Sequence, residues 1–352
     1  MGMFGPKRWP FATCKPTDLP TAMLPAQRIQ SCVAAMFGVT LFVLMASPAE
    51  AQRRPPAPPS RLVQALMPPI QEEDVEQIAT FGEARSLGVD PNQVLYVADA
   101  RESTVTAVTP NGRVLVTLGG RGTEAGAFDE PADVDPTNGL EIFVADAGNG
   151  RVQHFSRNGK YVEALSIGRV DPGNRTSARQ PLFDAGRNGS DARADGRPIA
   201  VASMSNGDVF VLDARDNVVV RFDRQRRPEP FAGGFDARQG RLGDPVAMAV
   251  SNRAVFVADV GIGGIVIYDR FGTPDGHIRL AQTPRSLAVV GDDLWAVCAD
   301  RILIIDPNRQ QIIGQIPVRL DEPIVDAARV DRTLALLTST RLVLVPRRRL
   351  PR

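Results

Sequence analysis

From Phe81 onward the hydrophobic pattern is one of short apolar runs that end on a single acidic residue. The runs are Leu95-Tyr96-Val97-Ala98-Asp99, Ile142-Phe143-Val144-Ala145-Asp146, Val209-Phe210-Val211-Leu212-Asp213 and Val255-Phe256-Val257-Ala258-Asp259. A degraded copy is Leu294-Trp295-Ala296-Val297-Cys298, and a weaker one is Leu334-Ala335-Leu336-Leu337-Thr338. The steps between their last residues are 47, 67, 46, 39 and 40 residues. The long step becomes ordinary if residues 169–196 are an insertion. No segment sustains a 3.6-residue period, so the pattern predicts strands and few helices.

Each unit divides in the same way. An inner strand starts after a proline (Pro131, Pro198, Pro245, Pro284, Pro323), and a turn rich in Asn, Asp and Gly follows, such as Pro136-Thr137-Asn138-Gly139. The apolar run comes next. A third strand such as Val219-Val220-Arg221-Phe222 then leads through a turn such as Asn158-Gly159 to an outer strand. Asn-Gly between apolar runs is a hairpin signal, because both residues tolerate positive φ. Units of 40 to 47 residues with several short strands each are the mark of propeller blades. The last unit stops after three strands, and a spare strand, Val75 to Phe81, precedes the first. The expected fold is therefore an all-β, six-bladed β-propeller of four-stranded blades, its last blade closed by the N-terminal strand.

Unit two carries Gly126-Ala127-Phe128-Asp129-Glu130-Pro131, then Val144-Ala145-Asp146, then Asn149-Gly150-Arg151-Val152. This text resembles the NHL repeat, in which Gly-x-Phe-x-x-Pro, a Val-Ala-Asp strand end and Asn-x-Arg-Val follow one another. Unit four keeps Gly240 to Pro245 and Val257-Ala258-Asp259 but has Gly263-Gly264-Ile265 in place of Asn-x-Arg. The resemblance covers residues 75 to 346. It implies a six-bladed propeller, a scaffold that serves binding proteins and enzymes alike. Some lyases and hydrolases of similar architecture use histidines, or calcium held by carboxylates, at the channel mouth.

The N-terminal third of the pattern differs. Residues 33 to 46 form an apolar run of 14, preceded by Arg28 and followed by Ser47-Pro48-Ala49-Glu50-Ala51. A basic flank, a short apolar run and an Ala-x-Ala exit read as a secretory signal peptide over 1–51 with a long leading region, or with Met23 as the true start. Fourteen residues are too few to cross a hydrocarbon core about 30 Å thick, so no stable membrane span is expected after cleavage. Residues 52–74 read as a proline-rich linker and 75–352 as the propeller domain. The expected location is exported: periplasmic, envelope-associated or secreted.

Composition narrows the partners. The formal net charge is +1 and only 6% of residues are aromatic. That gives no global drive toward nucleic acid. Three cysteines are present, and only Cys298 lies beyond the expected cleavage site. It falls in an apolar strand and reads as a buried, inert thiol.

The recurring Asp99, Asp146, Asp213 and Asp259 read as turn caps, because a carboxylate at the same strand end in every unit meets the following turn's amides. Arg151 reads as support for such a turn. Two histidines occur, His154 and His277; both read as single surface residues. Asp133, Asp135 and Asn138 have oxygen-ligand character but straddle a strand and its turn, so they stand as weak metal candidates and no cofactor is expected. The loop-rich face collects Arg85, Asp133, Arg285, Arg101, Arg215 and Asp216, and the 169–196 insertion leaves from it. The expected function is a non-enzymatic propeller that binds a protein, peptide or glycan through that face. The alternative is a metal-assisted propeller lyase or hydrolase.

Overall fold

The computed structural model describes residues 68–167, 196–234 and 240–346. Residues 1–51, expected as a signal peptide, the expected linker up to residue 67, residues 169–195 of the expected insertion and residues 347–352 lie outside the described residues. The chain divides into two units, Met1–Pro58 and Pro59–Arg352, and the second carries the fold.

Among the described residues, twenty-five strands make six blades. A short β1 (Ile70–Gln71) and β2 (Glu76–Thr80) come first. Blade 1 holds β3 (Ala84–Val89), β4 (Leu95–Asp99), β5 (Thr104–Val108) and β6 (Val114–Gly119). Blade 2 holds β7 (Pro131–Asp135), β8 (Glu141–Asp146), β9 (Arg151–Ser156) and β10 (Tyr161–Ser166). Blade 3 holds β11 (Pro198–Ser203), β12 (Val209–Asp213), β13 (Val218–Phe222) and β14 (Pro228–Gly233). Blade 4 holds β15 (Pro245–Val250), β16 (Ala254–Asp259), β17 (Gly264–Asp269) and β18 (Pro274–Arg279). Blade 5 holds β19 (Ser286–Val290), β20 (Asp293–Val297), β21 (Arg301–Asp306) and β22 (Gln311–Arg319). Blade 6 holds β23 (Ile324–Val330), β24 (Thr333–Thr338) and β25 (Arg341–Val345). Strand β2 pairs antiparallel with β25 and supplies the fourth strand of blade 6. The ring is closed by the N-terminal strand, and β25 is left with no open ladder. Ahead of residue 75, β1 pairs parallel with β22 as a fifth strand of blade 5.

The repeated apolar run becomes the second strand of each blade. It is buried at every position in β4 and β12, because both faces of a blade are covered by its neighbours. Outer strands such as β6 and β14 keep exposed positions. Six hydrophobic clusters form, one at each seam between blades; the seam of blade 6 with blade 1 joins Leu337 and Leu342 to Leu95 and Val97. Burying each Leu, Val or Phe in such a seam contributes about 1.5–3 kcal/mol. At the end of β6, Gly119 takes a φ of 93°, and a Cβ there would strike Phe128, which is fully buried. That close approach accounts for the glycine and for the aromatic residue of the repeated Gly-x-Phe phrase.

The carboxylates at the strand ends clasp two loops at once. Asp99 accepts from the amides of Gly82 (2.6 Å) and Glu83 (2.9 Å) and from Arg101 (3.0 Å) and Glu102 (3.2 Å). Asp146 accepts from the amide of Asp129 (2.7 Å) and from Arg151 Nε, Asn149 Nδ2 and Gln153 Nε2, each at 2.9 Å to one of its oxygens. Asp213 accepts from Arg197 (2.8 Å) and Arg215 (2.9 Å), and Asp259 from Gly243 (2.7 Å), Asp244 (3.1 Å) and Ile262 (3.0 Å). Each thus ties the turn after its own strand to the segment that enters the inner strand of the same blade. Blade 5 has Cys298 at this place, buried with its thiol pKa raised by burial, so no such clasp forms there.

The clasp of Asp146 is the densest. Replacing Asp146 with alanine leaves Arg151 and three other donors without this acceptor, and a destabilisation of about 3 kcal/mol is expected. The measurement is the urea midpoint at constant m-value. A loss under about 1 kcal/mol would mean that water replaces the carboxylate and that the clasp adds nothing.

Candidate active site

The six inner strands, β3, β7, β11, β15, β19 and β23, surround a central cavity of about 1000 Å³. Its walls follow from local strand geometry. In blades 1, 2, 3, 4 and 6 the ladder between the inner strand and its partner shifts register after the first residue. The second residue of the strand is therefore unpaired, and a bulge of this kind re-aims its side chain. These residues are Arg85, Ala132, Ile199, Val246 and Val325. In blade 5 the ladder begins at Ser286, and Arg285 holds the matching place, its amide donating to Val297 O at 2.7 Å. All six line the cavity. Arg85 and Arg285 are exposed, and the other four are half-buried.

The residue after the bulged place on each inner strand stands at the seam with the next blade. Read around the ring these are Ser86, Asp133, Ala200, Ala247, Ser286 and Asp326. The inner strand is the last in its sheet, so its free edge has no ladder partner. Four of those edge amides are met by side chains of the preceding blade, among them Ser203 N by Asp135. Leu87 N donates to Asp326 Oδ2 (2.8 Å), Val134 N to Ser86 Oγ (3.0 Å) and Val201 N to Asp133 Oδ2 (2.8 Å). Ser286 Oγ donates to Asp326 Oδ1, and the Ser86 hydroxyl also bonds the Asp133 carboxyl. The result is one polar arc running through blades 5, 6, 1 and 2. Blades 3 and 4 present Ala200 and Ala247 instead, packed into the hydrophobic seams.

Two carboxyl groups in this arc are held off their ordinary acidity. Burial raises Asp133 to about 7, against hydrogen bonds from the Val201 amide and Ser86 that lower it; the charges of Asp326 and Asp135 add to the rise. Burial raises Asp326 to about 6, against hydrogen bonds from Ser286, Leu87 and Ala327. Asp326 is 7% exposed, whereas Asp133 is enclosed by protein atoms yet keeps part of its outline open to the cavity. Ionised carboxyls carry about four lone-pair sites. Asp133 uses its own for Val201 N, Val134 N (2.9 Å) and Ser86, which leaves room for a water or a substrate atom.

The remaining sequence-derived residues separate into groups. Arg85, Asp133 and Arg285 come together in the cavity. Arg101, Arg215 and Asp216 are exposed and do not line it; Arg215 borders a second, shallower depression with Glu130 and Arg197. The weak metal candidates do not converge. Asp135 is spent on Thr137 N (2.9 Å) and the Ser203 amide, and Asn138 Oδ1 on Leu140 N (2.9 Å) and Glu141 N (2.8 Å). No group of three His, Cys, Asp or Glu side chains among the described residues could hold a metal ion. The donor set for a carboxylate-held calcium is thus not there, and no step is derived through one. The reading of His154 as a surface residue is corrected: it is 6% exposed, stacked on Phe143 at 4.8 Å, with Nε2 3.0 Å from Glu141 and Nδ1 3.2 Å from Glu163. It sits on β9, away from the cavity. The sequence reading missed Asp326, Ser86 and Ser286. The signal that finds them is register: each stands at the place of Asp133, directly after the residue of its inner strand that matches Ala132.

No protein-family model matches the chain. Solved structures do resemble it. A gluconolactonase from Xanthomonas campestris is 13% identical with a TM-score of 0.56, over 77% of this chain and 89% of that one. Virginiamycin B lyase from Staphylococcus aureus is 12% identical with a TM-score of 0.51, over 75% and 80%. A streptogramin B lyase is 10% identical with a TM-score of 0.52, over 77% and 96%. At these identities the likeness establishes the six-bladed propeller fold, and the activities named are those proteins' own. It also overturns the expectation of a non-enzymatic binding scaffold. That expectation took the propeller as a scaffold because no catalytic motif stood out, yet solved propellers of this form include a gluconolactonase and two lyases.

The raised acidities have a consequence for stability. An unfolded aspartate gives up its proton near 3.8, while folded Asp133 keeps its proton to about 7. The stability conferred by the neutral form is therefore complete below about pH 3.8 and is lost as pH rises through the folded value. Asp133→Asn, which stays neutral, should gain on the wild type between pH 4 and pH 8, seen as the difference in urea midpoints. A difference that does not change with pH would mean that Asp133 ionises at its ordinary value.

Proposed function

We propose that the chain is an exported hydrolase or lyase whose reaction takes place in the central cavity, with Asp133 as its proton-transfer group. The observation that carries this reading is a partly accessible carboxyl, tuned to about 7, on the wall of a cavity of about 1000 Å³. Proton transfer is most efficient when the group's pKa lies near the working pH. In hydrolysis, ionised Asp133 takes a proton from a water as the water's oxygen bonds to an acyl carbon; the acyl C–O bond of the ester or lactone then breaks, and the departing alkoxide takes the bonding pair and the proton held by Asp133. In elimination it takes the proton from a carbon beside an electron-withdrawing group, and the leaving group departs with the bonding pair. Asp326, with its lower value of about 6, is more fully ionised at neutral pH, and its charge helps to hold Asp133 up. The solved lactonase and lyases of similar fold support this class of reaction.

Kinship with NHL propellers is supported by the Gly126–Pro131, Val144–Asp146 and Asn149–Val152 phrases. Export is supported by the apolar run at 33–46 and its Ala-x-Ala exit. Among the described residues no helix is long and apolar enough to cross a membrane.

The test is turnover by the full chain of two panels. One holds esters and lactones, read by proton release. The other holds substrates prone to β-elimination, read by the absorbance of the new double bond. Turnover should fall by about 10²–10⁴-fold in Asp133→Asn, and the wild-type rate should rise with pH through about 7. Turnover that survives Asp133→Asn, or none from either panel, would overturn the assignment.

A further inference from the structure

The six residues at the mouth of the cavity break the symmetry of the repeat in one direction. Arg85 and Arg285 stand on blades 1 and 5, either side of Val325 on blade 6, while Ala132, Ile199 and Val246 fill blades 2, 3 and 4. The charge and the apolar surface thus lie on different sides of the same opening. Arg85 pairs with Glu83, both about half exposed. Arg285 has no hydrogen bond or ion pair from its guanidinium among the described residues. A planar guanidinium with five donors and nothing to donate to is a ready carboxylate partner. Ile199 packs at the edge of the seam between blades 3 and 4, and Val246 at that between blades 4 and 5, each half-exposed. Both keep apolar surface turned to the cavity. Asp133 and Asp326 lie one residue deeper along the same strands, on the polar side.

We propose that the cavity mouth selects an amphipathic anion: a small molecule whose carboxylate is held by Arg285 with Arg85, and whose aliphatic body lies across Ile199 and Val246. This rests on the cavity being the reaction site, and it specifies the substrate class. Holding the carboxylate on blades 5 and 1 and the body on blades 3 and 4 stretches the molecule across the opening above Asp133. Anions without an apolar body, and neutral apolar molecules, each satisfy only half of the ring.

The experiment is calorimetric binding to the full chain of straight-chain carboxylates of increasing length and of their primary amides, with no turnover required. Affinity for the carboxylates should rise about fourfold per added methylene as apolar surface is buried. Amides of the same length should bind at least tenfold more weakly. Arg285→Gln should lose about tenfold for carboxylates and leave amides unchanged, which separates loss of the charge from loss of the fold. Ile199→Asn and Val246→Asn should flatten the dependence on chain length. Equal binding of acids and amides, an affinity independent of length, or no binding at millimolar concentration would overturn the proposal. Its failure is distinct from failure of the hydrolase or lyase assignment. Selective binding with turnover unaffected by Asp133→Asn keeps the anion site and removes the catalytic role; turnover without selectivity does the reverse.

Discussion

The inner strand of every blade is the last in its sheet, and its outward edge carries amides that no further strand can pair. Six such edges face one another across the axis, so the cavity exists because these ladders stop there. An unpaired amide shut away from water costs about 1–3 kcal/mol. The chain meets four of these amides with side chains sent across the seam from the preceding blade: Asp326 to Leu87, Ser86 to Val134, Asp133 to Val201 and Asp135 to Ser203. The same bonds join blade 6 to 1, 1 to 2 and 2 to 3. One requirement of β-structure therefore supplies seam contacts and also places carboxyl groups on the wall of a cavity.

The two carboxyls carry a cost that the serines and alanines at the matching places avoid. A carboxyl enclosed by protein and shared with one or two amides is short of solvation, and burial is the largest cause of the rise at both Asp133 and Asp326. A serine meets a single amide without ionising, as Ser86 does. An acid where a hydroxyl would serve is poor economy for a scaffold and useful for proton transfer at neutral pH. Both carboxyls line the cavity, and Asp133 is the more exposed of the two, which is why the proposed proton transfer is assigned to it.

The architecture was legible because it is written by repetition. The apolar run ending in Asp recurs at each second strand, the prolines open three of the inner strands (β7, β11 and β15), and the spare N-terminal strand matches the missing strand of blade 6. The site was only partly legible, because a site departs from the repeat where the fold needs uniformity. Asp133, Arg85 and Arg285 stood out as charges in an apolar setting. Asp326 did not, because Ile324-Val325-Asp326 lacks the preceding proline within the strand and lies in the most degraded unit. Its role depends on Leu87 N, 239 residues away in sequence. The burial of His154 was hidden for a similar reason: Glu141, Glu163 and Arg226, which surround it, come from three different strands or turns of two blades.

A closed ring of equal blades has no preferred orientation for a ligand, since each blade would offer the same contacts. Orientation must come from differences between blades at equivalent positions, and those differences are confined here to two adjacent places on the inner strand. At the bulged place they set two guanidinium groups against four apolar side chains. One residue deeper they set two acids and two serines against two alanines. Blades 5 and 1 carry the cation of the first ring and a serine of the second; blades 6 and 2 carry the acids; blades 3 and 4 are apolar in both. The two rings are asymmetric in the same sense, so a molecule oriented by the mouth arrives with the same end toward the acids each time. Reactions that move one proton at one atom require that repeatability, and in a propeller only such coordinated departures from the repeat can supply it.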